Sequence, residues 1–304
     1  GRSRCVWVSI REALVLLCIA IGLTPAFKMK FWNIGAEGQI LMGGMATAAL
    51  MIYAGDAMPN WLLLILIFIA SAAAGLIWGL IPAVFKAYFN TNETLFTLML
   101  NYVAMQFVTF AIVFWENPSG SNTVGIINAA GQKGWFPSIF GNMYGLNVIV
   151  VLIITFGMYV YMKYSKQGYE IAVVGESQNT ARYAGINVKK VIIRTMMLSG
   201  AICGIAGCLI VSGASHTIST STAGGRGFTA IIVAWMSKFN PFAMILVSAF
   251  LVFMQQGSIQ IASQFGLNEN ASDIITGILL FFLIGCEFFI NYKLEWKKNH
   301  KEGK

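Results

Sequence analysis

The sequence predicts an all-α fold: a polytopic bundle of membrane helices with about 8–10 transmembrane segments, some of them short or broken. Two properties carry that prediction. Hydrophobic residues fill 57% of the 304 positions and charged residues only 11%, with a mean hydropathy of +0.71. A soluble domain needs roughly a quarter of its residues charged to cover its surface, so this chain is solvated mostly by lipid. The apolar residues also fall into continuous blocks of about 16–25, the length of a helical crossing, without the alternation of a barrel strand.

The blocks lie at 12–27, 38–54, 61–85, 95–115, 147–162, 191–213, 225–237, 239–262 and 273–291. The first and the seventh are short for a helix rising about 1.5 Å per residue. Gly22 and Pro25 punctuate one, and Gly224, Gly225, Gly227 and Pro241 surround the other. Short, interrupted segments in both halves of a chain are the sequence sign of broken helices lining a transport path. Glu12 interrupts the basic flank of the first block and no small-residue cleavage site follows, so the block reads as a span.

The net charge is +8, with the basic residues at span ends and in the tail. No aromatic-studded groove lies between them, so nucleic acid is not a partner; orientation by the positive-inside rule and attraction to anionic membrane lipid are. With 163–190 and the tail lysines Lys293, Lys297, Lys298, Lys301 and Lys304 inside, alternation places Lys28, Lys30, Lys86 and Lys238 inside too. The 116–146 connection then falls outside, as do 55–60 and 263–272. Arg2, Arg4 and Arg11 run against this scheme, so either 12–27 does not cross or a helix precedes it. The outer stretch 116–142 is rich in Gly, Asn and Ser, and a loop of that length either docks an external partner or serves as a tether. Cys5, Cys18, Cys203, Cys208 and Cys286 form no C-x-x-C pair and read as packing residues.

Polar clusters inside the apolar blocks mark candidate functional residues. In F-W-N-I-G-A-E-G-Q-I-L-M-G-G (31–44), Asn33, Glu37 and Gln39 stand among four glycines at the mouth of a span. A carboxylate in hydrocarbon is costly, so Glu37 either faces a pathway or sits at the interface, charging the start of the following helix. Further on, Asn90, Thr91 or Asn92 can cap a helix whose first turn holds Glu93. Asn101 lies about two turns inside that span, where it bonds a neighbouring helix or faces the pathway. Gln256 and Gln260, four apart on one helix face, suit hydroxyl-rich or base-like solutes, and equally suit interhelical bonding. The Ser/Thr-rich stretch 212–228 reads as an outer or re-entrant connection; its His216 and the tail's His300 are too few for a metal site.

The charged island at 163–194 carries Lys163, Lys166, Arg182, Lys189, Lys190 and Arg194 against Glu170 and Glu176. Within it Ser177 is a good N-cap, 178–184 a two-turn helix and Gly185 a residue that ends it. So short a helix needs a docking surface, and a protein groove on the cytoplasmic side suits its mixed composition. No G-x-x-x-x-G-K-[ST] loop exists, so the chain does not bind ATP in that way, and no nucleophile elbow or H-E-x-x-H points to catalysis.

Four strings taken together, N-I-G-A-E-G-Q (33–39), N-E-T-L-F-T-L-M-L-N-Y (92–102), G-E-S-Q-N-T-A-R-Y-A-G-I (175–186) and G-R-G-F-T-A-I-I-V-A-W-M-S-K-F-N-P (225–241), resemble one family. They are similar to permease subunits of bacterial ABC importers of the ribose/branched-chain amino acid type, nearest the nucleoside and simple-sugar branch. The resemblance implies a multi-pass protein of the bacterial inner membrane and an importer of a small polar solute. It implies two cytoplasmic ABC ATPase subunits that bind the ATP, a second permease subunit and an extracellular or periplasmic substrate-binding protein. It also implies a further N-terminal helix, no cofactor or metal held by this chain, and no enzymatic activity. The matched coupling loop makes Glu176, Ser177, Asn179, Ala181, Arg182, Ala184 and Gly185 the residues that grip the ATPase. The pathway candidates are Asn33, Glu37, Gln39, Asn101, Phe228, Gln256 and Gln260. Relatives often read G-F-D where this chain has Gly227-Phe228-Thr229, a difference that bears on which solute is carried. A branched-chain amino acid permease, or an ion-coupled carrier using Glu37, is the alternative reading.

Overall fold

The computed structural model describes residues 2–139 and 143–266, with 271, 274–278, 281–282 and 285–286; side chains are described from residue 6 onward. The basic tail (Lys293, Lys297, Lys298, Lys301, Lys304), His300, most of the expected span at 273–291 and the side chains of Arg2, Arg4 and Cys5 lie outside the described residues. The described elements are α1 (Arg2–Lys28), α2 (Ala36–Ala54), α3 (Asn60–Phe89), α4 (Glu93–Trp115), α5 (Gly145–Tyr164), α6 (Lys166–Glu176), α7 (Gln178–Tyr183), α8 (Val188–Ile210), α9 (Arg226–Met236) and α10 (Pro241–Gln264). One π-helical turn, Val211–Ser215, extends α8. The chain divides into two compact units, Gly1–Ala249 and Phe250–Lys304, and α10 runs across the division.

Among the described residues, six helices are long and apolar enough to cross a membrane: Val6–Lys28, Asn60–Phe89, Glu93–Trp115, Gly145–Tyr164, Val188–Ser215 and Pro241–Gln264. α2 opens on Glu37 and Gln39 and is covered by protein there instead of lipid. The expectation of a short, interrupted first segment is corrected. α1 is 27 residues long and runs through Pro25, which sits in its last turn, where the missing N–H removes a single ladder bond. The break follows at 29–35, where Lys30 takes φ 57° before α2 begins. The other expected short segment, α9, has only 11 residues.

α8 is the central helix of the first unit, buried along most of its length against α1, α2 and α3. Glycines make that approach possible. A methyl group on Gly204 would strike the Ser71 carbonyl of α3, and one on Gly43 of α2 would strike Gly204 itself. Small residues in such seams let helix backbones touch, which is how bundles gain packing where lipid supplies no hydrophobic drive. α4 and α5 turn Phe110, Phe114, Ile153 and Phe156 outward, as surfaces in contact with acyl chains do.

Several lysines of the first unit lie together. Lys28 meets Gly175, Lys189 lies over Tyr88 at 4.7 Å, and Lys28, Lys163 and Lys238 share one cavity, so these lysines make one end of the first unit basic. The stretch 116–139 lies at the other end and is tied down there. Asn128 Nδ2 donates to Met51 O (2.6 Å), Ile127 N to His216 O (2.8 Å), and Gly134 N to Asn60 Oδ1 (2.8 Å).

Candidate functional site

At the basic end, α6 and α7 stand between α5 and α8. α6 itself was not expected; its start was visible in Ser165, whose Oγ accepts from Gly168 N at 3.0 Å. α7 begins as expected, with Ser177 Oγ accepting from Thr180 N (3.2 Å). It ends on a Schellman pair, Gly185 N to Arg182 O (3.0 Å) and Ile186 N to Ala181 O (2.9 Å), with Gly185 at φ 77°. Ala181 is fully buried among Ala26, Met29, Phe31, Ala83, Ile171, Val174, Val188 and Met196. Glu176, Asn179, Arg182, Ala184 and Gly185 are exposed, Ser177 is half-buried, and Tyr183 stands free of the protein at 94% exposure. The short helix is thus anchored by one methyl group, closed at both ends, and presents the rest of its surface outward.

The second constellation surrounds the start of α2. Asn101 of α4 accepts from Gly38 N (2.8 Å) and donates to Ile34 O (3.0 Å). One turn earlier, Thr97 Oγ1 accepts from Ile34 N (3.2 Å). Asn33 accepts from Gly35 N (3.0 Å) and donates to Ser199 Oγ of α8 (3.4 Å) and Gln39 Oε1 (3.5 Å). Asn33, Gln39 and Asn101 are buried and bonded within the chain, so of the two roles open to Asn101 the structure displays the bond to a neighbouring helix. Thr97 and Ser199 were missed in the sequence, where an isolated hydroxyl in an apolar helix carries no signal.

Glu37 Oε1 accepts from Gly227 N at 2.7 Å, in the first turn of α9. Its carboxylate therefore sits at the positive start of α9 as well as of its own helix. It is 2% exposed, so neither the lipid interface nor open water surrounds it. A methyl on Gly227 would approach Glu37 N to 2.8 Å, so glycine lets the two helix starts meet. Beside them, Arg226 of α9 donates to Glu12 Oε2 of α1 through Nε (3.0 Å) and Nη2 (2.7 Å), and Arg11 pairs with Glu12 Oε1. These three residues, with Ser215, Thr217, Ser219, Ser221 and Thr222, line a cavity of about 250 Å³. The ion triad also answers the charge anomaly at Arg11, which is paired where it lies.

Phe228 is exposed on α9, one heptad before the exposed Trp235, and Trp235 stacks on Trp32 (centroids 5.5 Å apart, planes at 18°). Trp32 and Trp235 were not singled out in the sequence; their place beside the two interrupted segments was the available signal. Gln256 and Gln260 belong to the second unit, half-buried and exposed respectively along α10.

Long apolar helices, two helix starts joined through Glu37 and Gly227, and a polar cavity beside them define a multi-pass membrane protein with a polar interior. Residues 8–284 match the family described as branched-chain amino acid transport system / permease component, and the chain belongs to that family. It is similar to the guanosine ABC transporter permease protein NupP of Bacillus subtilis, 29% identical over 93% of this chain and 82% of the relative. It is also similar to the glucose ABC transporter permease protein TsgB13 of Haloferax volcanii, 28% identical over 93% of this chain and 77% of the relative. The nucleoside ABC transporter permease protein NupB of Lactococcus lactis is 25% identical over 97% of this chain and 82% of its own length. No solved structure matches the chain. The protein is accordingly a permease of the cell membrane, a transporter component.

Proposed function

We propose that this chain is one of two membrane subunits of an ATP-driven importer that carries a nucleoside or a simple sugar into the cell. The observation that carries the reading is α7: a capped, two-turn helix held by Ala181 at the basic end, with Asn179, Arg182 and Tyr183 directed outward. Such a short helix has no stability of its own in water, so its exposed face suits a partner's groove. ATPase subunits that close on ATP would push it, and α6 and α8, continuous with it in the chain, would transmit the motion to the interrupted segments at 29–35 and 216–225. Glu176, Ser177, Ala184 and Gly185 shape the handle; Asn179 and Arg182 supply its grip.

The solute class is supported by the aromatic face of Phe228 and Trp235, since flat rings and sugar faces stack on aromatic side chains. The hydroxyl-lined cavity beside Arg11, Glu12 and Arg226 suits the hydroxyls of a ribose or a hexose. The guanosine, nucleoside and glucose relatives favour the same class over a branched-chain amino acid. A substrate-binding protein would deliver the solute from the outside. Glu37, Asn33, Gln39 and Asn101 would set the position of α2 and α9 along the path, Phe228 would touch the solute, and Gln256 and Gln260 are further candidates to line it.

The test is association with the ATPase. Asn179→Ala combined with Arg182→Glu changes only exposed side chains, and should weaken ATPase pull-down at least tenfold while the permease still inserts in the membrane. Unchanged pull-down, or solute accumulation by the purified chain in liposomes without any ATPase, overturns the reading.

A further inference from the structure

A cavity of about 610 Å³ opens at the basic end of the bundle, away from the hydroxyl-lined one. Three lysines from three separate elements line it: Lys28 at the end of α1, Lys163 at the end of α5, and Lys238 between α9 and α10. No carboxylate of the described residues lines it. Among the described residues the ion pairs join Arg11 and Arg226 to Glu12, Lys86 to Glu93 and Arg194 to Glu170, and none takes any of these three lysines. Lys163 Nζ donates to Tyr159 OH at 3.0 Å and lies over the rings of Tyr159 and Tyr164, neutral groups all. The positive start of α10, at Asn240 and Pro241, opens on the same space.

The backbone is bent to bring this about. Lys238 (φ 47°) and Phe239 (φ 60°) are both left-handed, a conformation that costs energy for residues other than glycine and persists where the surroundings hold it. The rest of the lining is largely apolar, with Ile21, Met158, Met162 and Phe242. From Phe242, which meets Tyr159 edge-on at 5.4 Å, exposed apolar residues continue up both neighbouring helices: Leu246 on α10, and Val160 and Phe156 on α5. Positive charge beside exposed apolar side chains is complementary to one class of molecule.

We propose that this cavity binds the phosphate headgroup of an anionic phospholipid of the cytoplasmic leaflet, with its acyl chains against the exposed apolar residues Leu246, Val160 and Phe156. Basic pockets between helices on that side of a membrane hold anionic headgroups, and each lysine near the surface contributes about a fivefold gain in affinity. Three lysines together give roughly 100-fold preference over a zwitterionic lipid. No residue of α7 and none of the hydroxyl-lined cavity lines it, so it stands whichever solute the protein carries.

The test uses the purified full-length protein in detergent, titrated with phosphatidylglycerol, phosphatidylcholine and inorganic phosphate, with bound lipid counted by native mass spectrometry. The wild type should hold phosphatidylglycerol about 100-fold more tightly than phosphatidylcholine, and millimolar inorganic phosphate should not displace it. The triple variant Lys28→Gln/Lys163→Gln/Lys238→Gln should lose that preference. Lys238→Gln alone, at an exposed position, should lose about fivefold with its helical circular dichroism unchanged. The pair Lys189→Gln/Lys190→Gln, at the same end but outside the cavity, should bind as the wild type does. Equal binding of the two lipids, an equal loss in the Lys189/Lys190 pair, or displacement by inorganic phosphate alone would each overturn the assignment, the last in favour of a soluble phosphate site.

Discussion

Replacing Asn101 with leucine isolates what holds the start of α2. The two side chains have the same number and branching of heavy atoms and leucine is the bulkier, so the variant removes two hydrogen bonds without opening a cavity: acceptance from Gly38 N at 2.8 Å and donation to Ile34 O at 3.0 Å. Gly38 lies in the first turn of α2, where amides have no partner within their own helix, so its N–H is left buried and unpaired. Side-chain hydrogen bonds inside membrane proteins average about 0.6 kcal/mol and reach about 1.7, because the unfolded chain in a micelle also finds partners. Two such bonds lost together predict a destabilisation of about 1–3 kcal/mol. Reversible unfolding in mixed dodecyl sulfate micelles measures it, with Met99→Leu as the control, since Met99 is 68% exposed on the same helix. Met99→Leu should stay within about 0.5 kcal/mol of the wild type. An Asn101→Leu protein as stable as that control, yet inactive in uptake, would refute the reasoning and assign Asn101 to the solute.

The glycine seam makes a second prediction with opposite signs at two sites. Gly204→Ala places a methyl group against the Ser71 carbonyl and should cost about 1–3 kcal/mol, whereas Gly157→Ala, with open space around it in α5, should be neutral or stabilise by up to ~1 kcal/mol in the same unfolding assay. His216, stacked on Trp135 with centroids 3.7 Å apart, makes a third. Burial holds its pKa below the usual value, and Arg11 lowers it further. The unfolded chain then binds the proton more readily, so this contribution to stability is full above about pH 6.5 and is lost as pH falls through the lower folded value. Amide protection at Ile127 and Trp135, taken relative to the intrinsic exchange rate at each pH, should fall from pH 7.5 to 5 in the wild type and much less in His216→Phe; matching profiles would exclude the imidazole.

Much of α7 was legible because its signals are local. Ser177 and Gly185 need only their immediate neighbours to cap and end a helix, and the basic island declares its side of the membrane by composition. The first segment was misjudged because Gly22 and Pro25 look like breakers in a string, while position decides their effect: a proline in the last turn leaves the helix intact. Asn33, Glu37, Gln39 and Asn101 were recognisable as unusual, since polar groups in apolar blocks demand an explanation, but their partners were not. Those partners are backbone atoms of Ile34, Gly35, Gly38 and Gly227, which look the same in any sequence.

Composition, block length and charge bias by themselves determined that this chain is a helical membrane bundle with its basic end and its short handle on one side, because burial in lipid acts on every residue according to its own chemistry. Tertiary structure alone decided that Glu37 would meet the start of α9 and that Glu12 would join Arg11 to Arg226. It also decided that Lys28, Lys163 and Lys238, remote from one another in the sequence, would face one cavity. A hydrogen bond or an ion pair depends on a few ångströms between groups remote in the chain, and that distance exists only once the helices have packed.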